Sequence, residues 1–203
     1  MNLPTALTVS RIILCPFFLA IYLYPSRFGL TGPLQAFLLI LLMFFMLVTD
    51  ALDGYLARKW KIVTKIGKLL DPMSDCIVFL SIFFCFTRGP IDLPLWIPIV
   101  MMVREISVVY LRSLIALQQQ AMGARWTGKF KTIVQSLALG ITLFGLLLEA
   151  KGVVGIELLQ EASFWVFCFT ASVSVLSLIE YGFHCKDVIK KSFKSPLTDE
   201  ISG

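Results

Sequence analysis

Charged side chains are scarce in this chain. Of its 203 residues only 15% are Asp, Glu, Lys or Arg, whereas 58% are hydrophobic, and the mean hydropathy is +0.85. This composition excludes an ordinary water-soluble domain, whose surface needs many more polar groups. It is typical of a bundle of membrane helices, in which each backbone polar group is paired within its own helix. We therefore predict an all-α polytopic membrane protein that forms a single domain over residues 1–203.

Histidine and paired cysteine are also nearly absent. The single histidine, His184, follows the last apolar segment, and none of the five cysteines belongs to a CxxC pair. These absences argue against a zinc site and against a disulfide framework. The N-terminus has no charged region followed by a small-residue cleavage site, so we expect the first apolar segment to be retained.

The apolar residues fall into six segments that approach the length of about 20 residues needed to cross a membrane. The predicted spans are 8–25, 34–57, 70–87, 94–117, 130–149 and 161–182. Residues 2–7 are too few to cross, and we predict that they form a short interfacial helix before the first span.

The positive charge is concentrated at one end of these spans. The loops after spans two and four and the C-terminal tail hold most Lys and Arg residues, whereas the opposite loops hold only Arg27, Arg88 and Lys151. Loops rich in Lys and Arg stay in the cytoplasm. We therefore expect a multi-pass protein of the cytoplasmic membrane with both termini inside. Basic residues in this arrangement indicate anionic lipid as a partner and argue against nucleic acid.

Four aspartates interrupt the apolar pattern. Asp50 and Asp53 are three residues apart at the end of span two, and Asp71 and Asp75 are four apart at the start of span three. Both spacings place a pair on one helix face. Because the intervening loop is short, we expect the two spans to be antiparallel neighbours whose four carboxylates face one cleft. Carboxylates at membrane depth are costly and indicate a functional site.

Four carboxylates in one low-dielectric cleft repel one another unless cations neutralise them. Ligation by oxygen alone favours Mg²⁺ or Mn²⁺, and two such ions would form a clamp for a diphosphate. Gly54 and Gly67 let a ligand approach the helices closely, Ala57 is also small, and Arg58 offers a permanent cation to phosphate oxygens. The alternative from another class is a cation-coupled transporter, which is disfavoured because the chain has no internal repeat.

The aspartates belong to a longer pattern. From Asp50 the chain reads D-A-L-D-G-Y-L-A-R, then eight residues, then G-K-L-L-D-P-M-S-D. This stretch resembles the signature D-x2-D-G-x2-A-R-x8-G-x3-D-x3-D of the CDP-alcohol phosphotransferase family. The resemblance implies six transmembrane helices, a site for two metal ions, and transfer of a phosphatidyl or similar group from a CDP-linked donor to an alcohol, with release of CMP.

Further motifs are similar to the bacterial phosphatidylglycerophosphate synthase branch of this family. They are N-L-P-T-A-L-T-V-S-R ending at Arg11, G-Y-L-A-R-K-W, G-K-L-L-D-P, V-R-E-I at Arg104, L-R-S at Arg112 and W-T-G-K-F-K-T around Lys129. This similarity implies CDP-diacylglycerol as donor and glycerol 3-phosphate as acceptor. Inositol phosphate, serine and phosphatidylglycerol remain alternative acceptors, and a homodimer is implied by the resemblance alone.

The chain departs from this branch at two positions. Ala51 stands where an aromatic residue is common, and Cys76 stands where Lys commonly follows the fourth aspartate. The missing Lys removes a cation from the mouth of the expected cleft. These departures bear on the choice of acceptor more than on the reaction class.

The resemblance also implies individual roles. Asp50, Asp53 and Asp71 would hold the metals, and Asp75 would be the base and also contact a metal. The residues expected to line the CDP pocket are Gly54, Ala57, Arg58 and Gly67. Candidates for binding an anionic acceptor are the cationic residues Arg104, Arg112, Arg125, Lys129 and Lys131. For Arg104, the alternative interpretation is a structural ion pair with a carboxylate such as the adjacent Glu105.

Overall fold

The computed structural model describes the backbone of residues 3–60, 65–117 and 126–194. Within these ranges it leaves out the side chains of residues 3–5, 57–58, 65–71, 112–117, 126–127, 129 and 184–194. The described chain is helical and contains no strand. Its helices are α1 (Leu3–Leu23), α2 (Gly32–Lys59), α3 (Lys65–Cys85), α4 (Trp96–Leu117), α5 (Trp126–Ala150) and α6 (Ile156–Lys194), with a short 3-10 helix at Pro25–Phe28. Each long helix corresponds to one predicted span, which confirms the all-α fold.

Among the residues that the structure describes, four helical segments are long and apolar enough to cross a membrane. They are Ala6–Leu23, Gly32–Leu56, Phe130–Ala150 and Ile156–Phe183. The described apolar part of α3, Pro72–Cys85, is shorter, and α4 carries Arg104 and Glu105 within its apolar sequence. The two helices that deviate from a purely apolar span therefore carry charged residues of the predicted site. Taken together, the apolar helices identify an integral membrane protein.

The start of α1 differs from the prediction. α1 is continuous from Leu3 to Leu23, so residues 3–7 are its first turns rather than a separate interfacial helix. A continuous helix pairs backbone groups that a break would leave exposed in a membrane. Pro4 is tolerated because the first helical residues have no N–H partner within the helix.

The six helices pack as a closed ring. Among the described residues, α1 packs against α2 and α3, α3 against α4, α4 against α6, α6 against α5, and α5 against α2. α1 packs against both α2 and α3, and one cavity is lined by Asp50 of α2 and Asp75 of α3 together with Arg11 of α1. α1 buries large side chains in this packing, including Phe18 and Tyr22.

Large apolar side chains fill the interior of this ring. Phe167 of α6 is fully buried and makes edge-to-face contacts with Phe83 at 5.4 Å and Phe86 at 6.0 Å between ring centroids. Leu39 of α2 and Leu139 of α5 are equally buried. Packing of this kind holds membrane helices together, since burial away from water contributes little where the surroundings are already hydrocarbon.

The outer faces of the helices are apolar as well. Phe37 and Phe44 on α2 and Phe169 and Leu176 on α6 are all more than half exposed. Exposed aromatic and aliphatic side chains in such number fit hydrocarbon as the surrounding medium.

At one end of the ring, side chains of two helices form hydrogen bonds with the loop between α3 and α4. Tyr22 Oη donates a hydrogen bond to the Arg88 carbonyl at 2.9 Å, and Gln160 Nε2 donates to the Pro90 carbonyl at 3.1 Å. These bonds tie α1 and α6 to the connection between α3 and α4. The aspartates of α2 and α3 lie at the opposite end, together with the N-terminal part of α1.

Candidate active site

Three of the predicted aspartates converge on one arginine. Arg11 Nη1 donates to Asp50 Oδ1 and to Asp75 Oδ1, each at 2.5 Å, and Arg11 Nη2 donates to Asp53 Oδ2 at 2.8 Å. The guanidinium thus joins α1 to both α2 and α3. The structure confirms that carboxylates from these two helices share one cleft, and it adds an unpredicted cation between them.

The side chains of this cluster differ in how deeply they are buried. Arg11 and Asp53 are almost completely buried, at 3% and 4% exposure, whereas the side chains of Asp50 and Asp75 are about one third exposed. Thr8 Oγ1 donates to Asp53 Oδ2 at 3.0 Å. Thr8 and Arg11 lie three residues apart and therefore share a face of α1. Asp53 forms the floor of the cleft, and Asp50 and Asp75 line its mouth.

The charges of this cluster do not cancel. Three carboxylates and one guanidinium give the described side chains a formal charge of −2. Their donor atoms are all oxygens, the ligands that Mg²⁺ and Mn²⁺ prefer. The chemistry of this donor set therefore fits divalent cations.

The described aspartate side chains are arranged around Arg11. Among the side chains that the structure describes, no three acidic, cysteine or histidine residues are already placed to hold one metal ion together. The described aspartate oxygens point to the guanidinium instead. Asp71, the fourth predicted ligand, lies outside the described side chains.

Several other predicted residues also lie outside the described side chains, so their roles stay predictions. They are Ala57, Arg58, Gly67, Arg112, Arg125 and Lys129. Gly54 is described; it is partly buried on α2 directly after Asp53.

A second buried cluster centres on Glu105 of α4. Its Oε1 pairs with Lys131 Nζ and accepts a hydrogen bond from Gln135 Nε2 at 3.2 Å, and its Oε2 pairs with Arg104 Nη1 at 3.1 Å. Arg104 Nη2 donates to Ser177 Oγ at 2.7 Å. These contacts link α4, α5 and α6. The expected alternative for Arg104, an ion pair with Glu105, is confirmed as a contact.

A cavity joins the second cluster to the first. It has a volume of about 80 Å³, and its lining includes Asp75 and Phe79 of α3, Arg104 of α4 and Lys131 of α5. A second cavity is lined by Arg11, Asp50 and the same Asp75. Asp75 therefore borders both an aspartate-lined cavity and a cavity lined by the cationic side chains of Arg104 and Lys131.

Sequence reasoning missed several residues of this site. Arg11, Thr8, Gln135 and Ser177 were not among the predicted site residues. Arg11 carried a usable signal, because a charged side chain within an apolar span is rare and indicates function. The hydroxyl and amide groups carried no comparable signal, since Ser, Thr and Gln are common in membrane helices as interhelical hydrogen-bond partners.

Comparison with known proteins identifies the family of this chain. Residues 1–176 match the family model described as CDP-alcohol phosphatidyltransferase. The chain belongs to the CDP-alcohol phosphatidyltransferase family. This membership confirms the resemblance seen in the sequence, and the family generally uses divalent metal ions.

Individual members of the family align over most of this chain. It is 34% identical over 183 residues to the CDP-diacylglycerol--glycerol-3-phosphate 3-phosphatidyltransferase of Haemophilus influenzae, covering 89% of this chain and 91% of that protein. Proteins with the same name are 30% identical over 187 residues in Rickettsia bellii, with 91% and 96% covered, and 34% identical over 148 residues in Bacillus subtilis, with 70% and 76% covered.

Proposed function

We propose that this phosphatidyltransferase moves the phosphatidyl group of CDP-diacylglycerol to glycerol 3-phosphate, forming phosphatidylglycerophosphate and releasing CMP. The observation that carries this proposal is the position of Asp75, which borders both cavities. A transfer reaction needs a base between its donor and its acceptor. The names of the relatives support the same donor and acceptor.

The aspartate-lined cavity is the proposed donor side. Asp50, Asp53, Asp71 and Asp75 would hold Mg²⁺ or Mn²⁺, two ions in number, which would neutralise the diphosphate of the donor. Gly54, Ala57, Arg58 and Gly67 would line the CDP pocket. The net negative charge of the described carboxylates and Arg11 supports this assignment, because the phosphates cannot approach such a cluster without additional cations.

The proposed chemistry of the chain itself centres on Asp75. One of its carboxylate oxygens takes the proton of the acceptor hydroxyl. The hydroxyl oxygen then bonds to the β-phosphorus, and the bond between this phosphorus and the bridging oxygen of CMP breaks. CMP leaves with that oxygen. The partial exposure of Asp75 at the cleft mouth supports this role, since a base must be accessible to the acceptor.

The second cavity is the proposed acceptor side. Its charged lining consists of the cations Arg104 and Lys131 and the carboxylates Glu105 and Asp75. The two cations support an acceptor with a phosphate group. Arg112 and Lys129 remain proposed additional contacts.

We also propose that the site faces the cytoplasm and that both termini lie there. Arg27, Arg88 and Lys151 are exposed at the opposite end of the ring, which carries few Lys and Arg residues. The expected homodimer stays a prediction.

An acceptor panel tests the proposed function. Purified protein in detergent is mixed with CDP-diacylglycerol and Mg²⁺, and CMP release is measured with glycerol 3-phosphate, inositol phosphate, serine or phosphatidylglycerol. We expect release that depends on both Mg²⁺ and glycerol 3-phosphate. Release with another acceptor only would reassign the substrate, and no release with any acceptor would favour the transporter.

A further inference from the structure

We propose that Arg11 is a positioning residue of the aspartate cluster, and that its guanidinium competes with divalent cations for the carboxylate oxygens and so sets the metal affinity. This inference rests on the proposed function in one respect, namely that the metal site lies at these aspartates. It concerns a residue of α1, outside the aspartate signature of α2 and α3.

The contacts of Arg11 are those of a bound cation. Its two terminal nitrogens reach one oxygen on each of Asp50, Asp53 and Asp75, at 2.5 to 2.8 Å. Hydrogen bonds between a guanidinium and carboxylates are short, strong and directional. The guanidinium therefore determines where three carboxylates from two helices point.

Burial explains why these contacts are strong. Arg11 is 3% exposed in a helix whose other residues are mostly apolar. A charged side chain in such a place is stable only when opposite charges surround it. The reverse also holds, because Asp53 is equally buried and its Oδ2 atom accepts hydrogen bonds from Arg11 and Thr8.

The same contacts oppose a metal ion. Divalent cations take carboxylate oxygens as ligands, and one oxygen of each described aspartate already accepts hydrogen bonds from Arg11. A divalent cation and a guanidinium at one cluster also repel each other. Metal entry would therefore be opposed by Arg11, and the formal charge of −2 on the described side chains supplies the attraction that makes metal binding possible.

Binding of Mn²⁺ to the full chain in detergent micelles tests the inference. The free ion is quantified by its electron paramagnetic resonance signal, so the measurement does not depend on turnover. In Arg11→Gln the competitor is neutral, and we expect Mn²⁺ to bind about tenfold tighter or more than in the wild type. The matched control is Arg27→Gln, which removes an exposed charge at the opposite end and should leave Mn²⁺ affinity unchanged.

Arg11→Lys covers the case in which Arg11→Gln does not fold. Lysine keeps the positive charge but has a single ammonium nitrogen in place of the planar guanidinium. It therefore bridges the three carboxylates less effectively than arginine. We expect its Mn²⁺ affinity to exceed that of the wild type. Unchanged or weaker binding in the folded variants would overturn the role of Arg11.

The variant Asp53→Asn distinguishes an error in the role of Arg11 from an error in the position of the metal site. If it weakens Mn²⁺ binding while Arg11→Gln leaves binding unchanged, the metal site stands and only the competition by Arg11 is wrong. If Asp53→Asn binds Mn²⁺ as the wild type does, the metal lies elsewhere and both proposals fail.

Discussion

Replacing Lys131 with methionine tests the acceptor side most directly. Lys131 is 6% exposed, lines the cavity that contains Asp75, and pairs with Glu105. Methionine keeps most of the apolar stem and removes the charge. Glu105 still has Arg104 and Gln135 as partners, so its carboxylate is not left unpaired. The variant should therefore fold.

The expected effect follows from the loss of one contact with the acceptor phosphate. A hydrogen bond between charged groups contributes about 1.5–3 kcal/mol, which corresponds to a rise of about 10- to 150-fold in the KM for glycerol 3-phosphate. The KM for CDP-diacylglycerol should change little, because the donor is proposed to bind on the opposite side of Asp75. Lys131→Arg should recover part of the loss.

Steady-state CMP release at varied concentrations of each substrate measures both constants. Lys151→Met is the matched control, since Lys151 is exposed in the turn after α5 at the far end of the ring. Thermal denaturation in the same detergent shows whether each variant is folded. A folded Lys131→Met protein with an unchanged KM for glycerol 3-phosphate would refute the acceptor pocket.

Three other substitutions test the base, the departure at position 76 and the core. Asp75→Asn should abolish CMP release but retain most metal-dependent CDP binding, whereas Asp53→Asn should weaken both; normal turnover in Asp75→Asn would remove the base from the mechanism. Cys76→Lys adds a cation next to Asp75 and should lower the KM for a phosphorylated acceptor several-fold, and an unchanged KM would place position 76 outside the acceptor pocket. Phe167→Ala empties a fully buried site and should lower stability, measured by thermal denaturation, by less than the ~3–5 kcal/mol typical of water-soluble cores. The control Phe169→Ala, on the outer face, should be nearly neutral, and equal losses would contradict the packing.

The helices were predictable because their signal is local. Runs of apolar residues gave all six elements, including α3 and α4, and the spacing of Asp50 and Asp53 placed both on one face of α2. The error at residues 3–7 was one of boundary: a length argument separated them from the first span, whereas the structure continues α1 through them.

The neighbours of each helix were not predictable in the same way. A short loop indicates that the facing ends of α2 and α3 are close, but it does not indicate which other helix packs against both. α1 does so, and the spacing of the aspartates did not show that Arg11 of α1 would lie among them.

The sequence by itself determined the membrane class, the six helices, the aspartate faces and the family signature. In hydrocarbon each helix must satisfy its own backbone hydrogen bonds, so apolar runs of sufficient length specify helices without reference to the rest of the chain. Only the tertiary structure decided that Arg11 lies among the aspartates, that Glu105 gathers cations from two helices, and that Asp75 borders both cavities. These features depend on which helix faces fit together, and side-chain shape and polar contacts between helices distant in sequence select that fit.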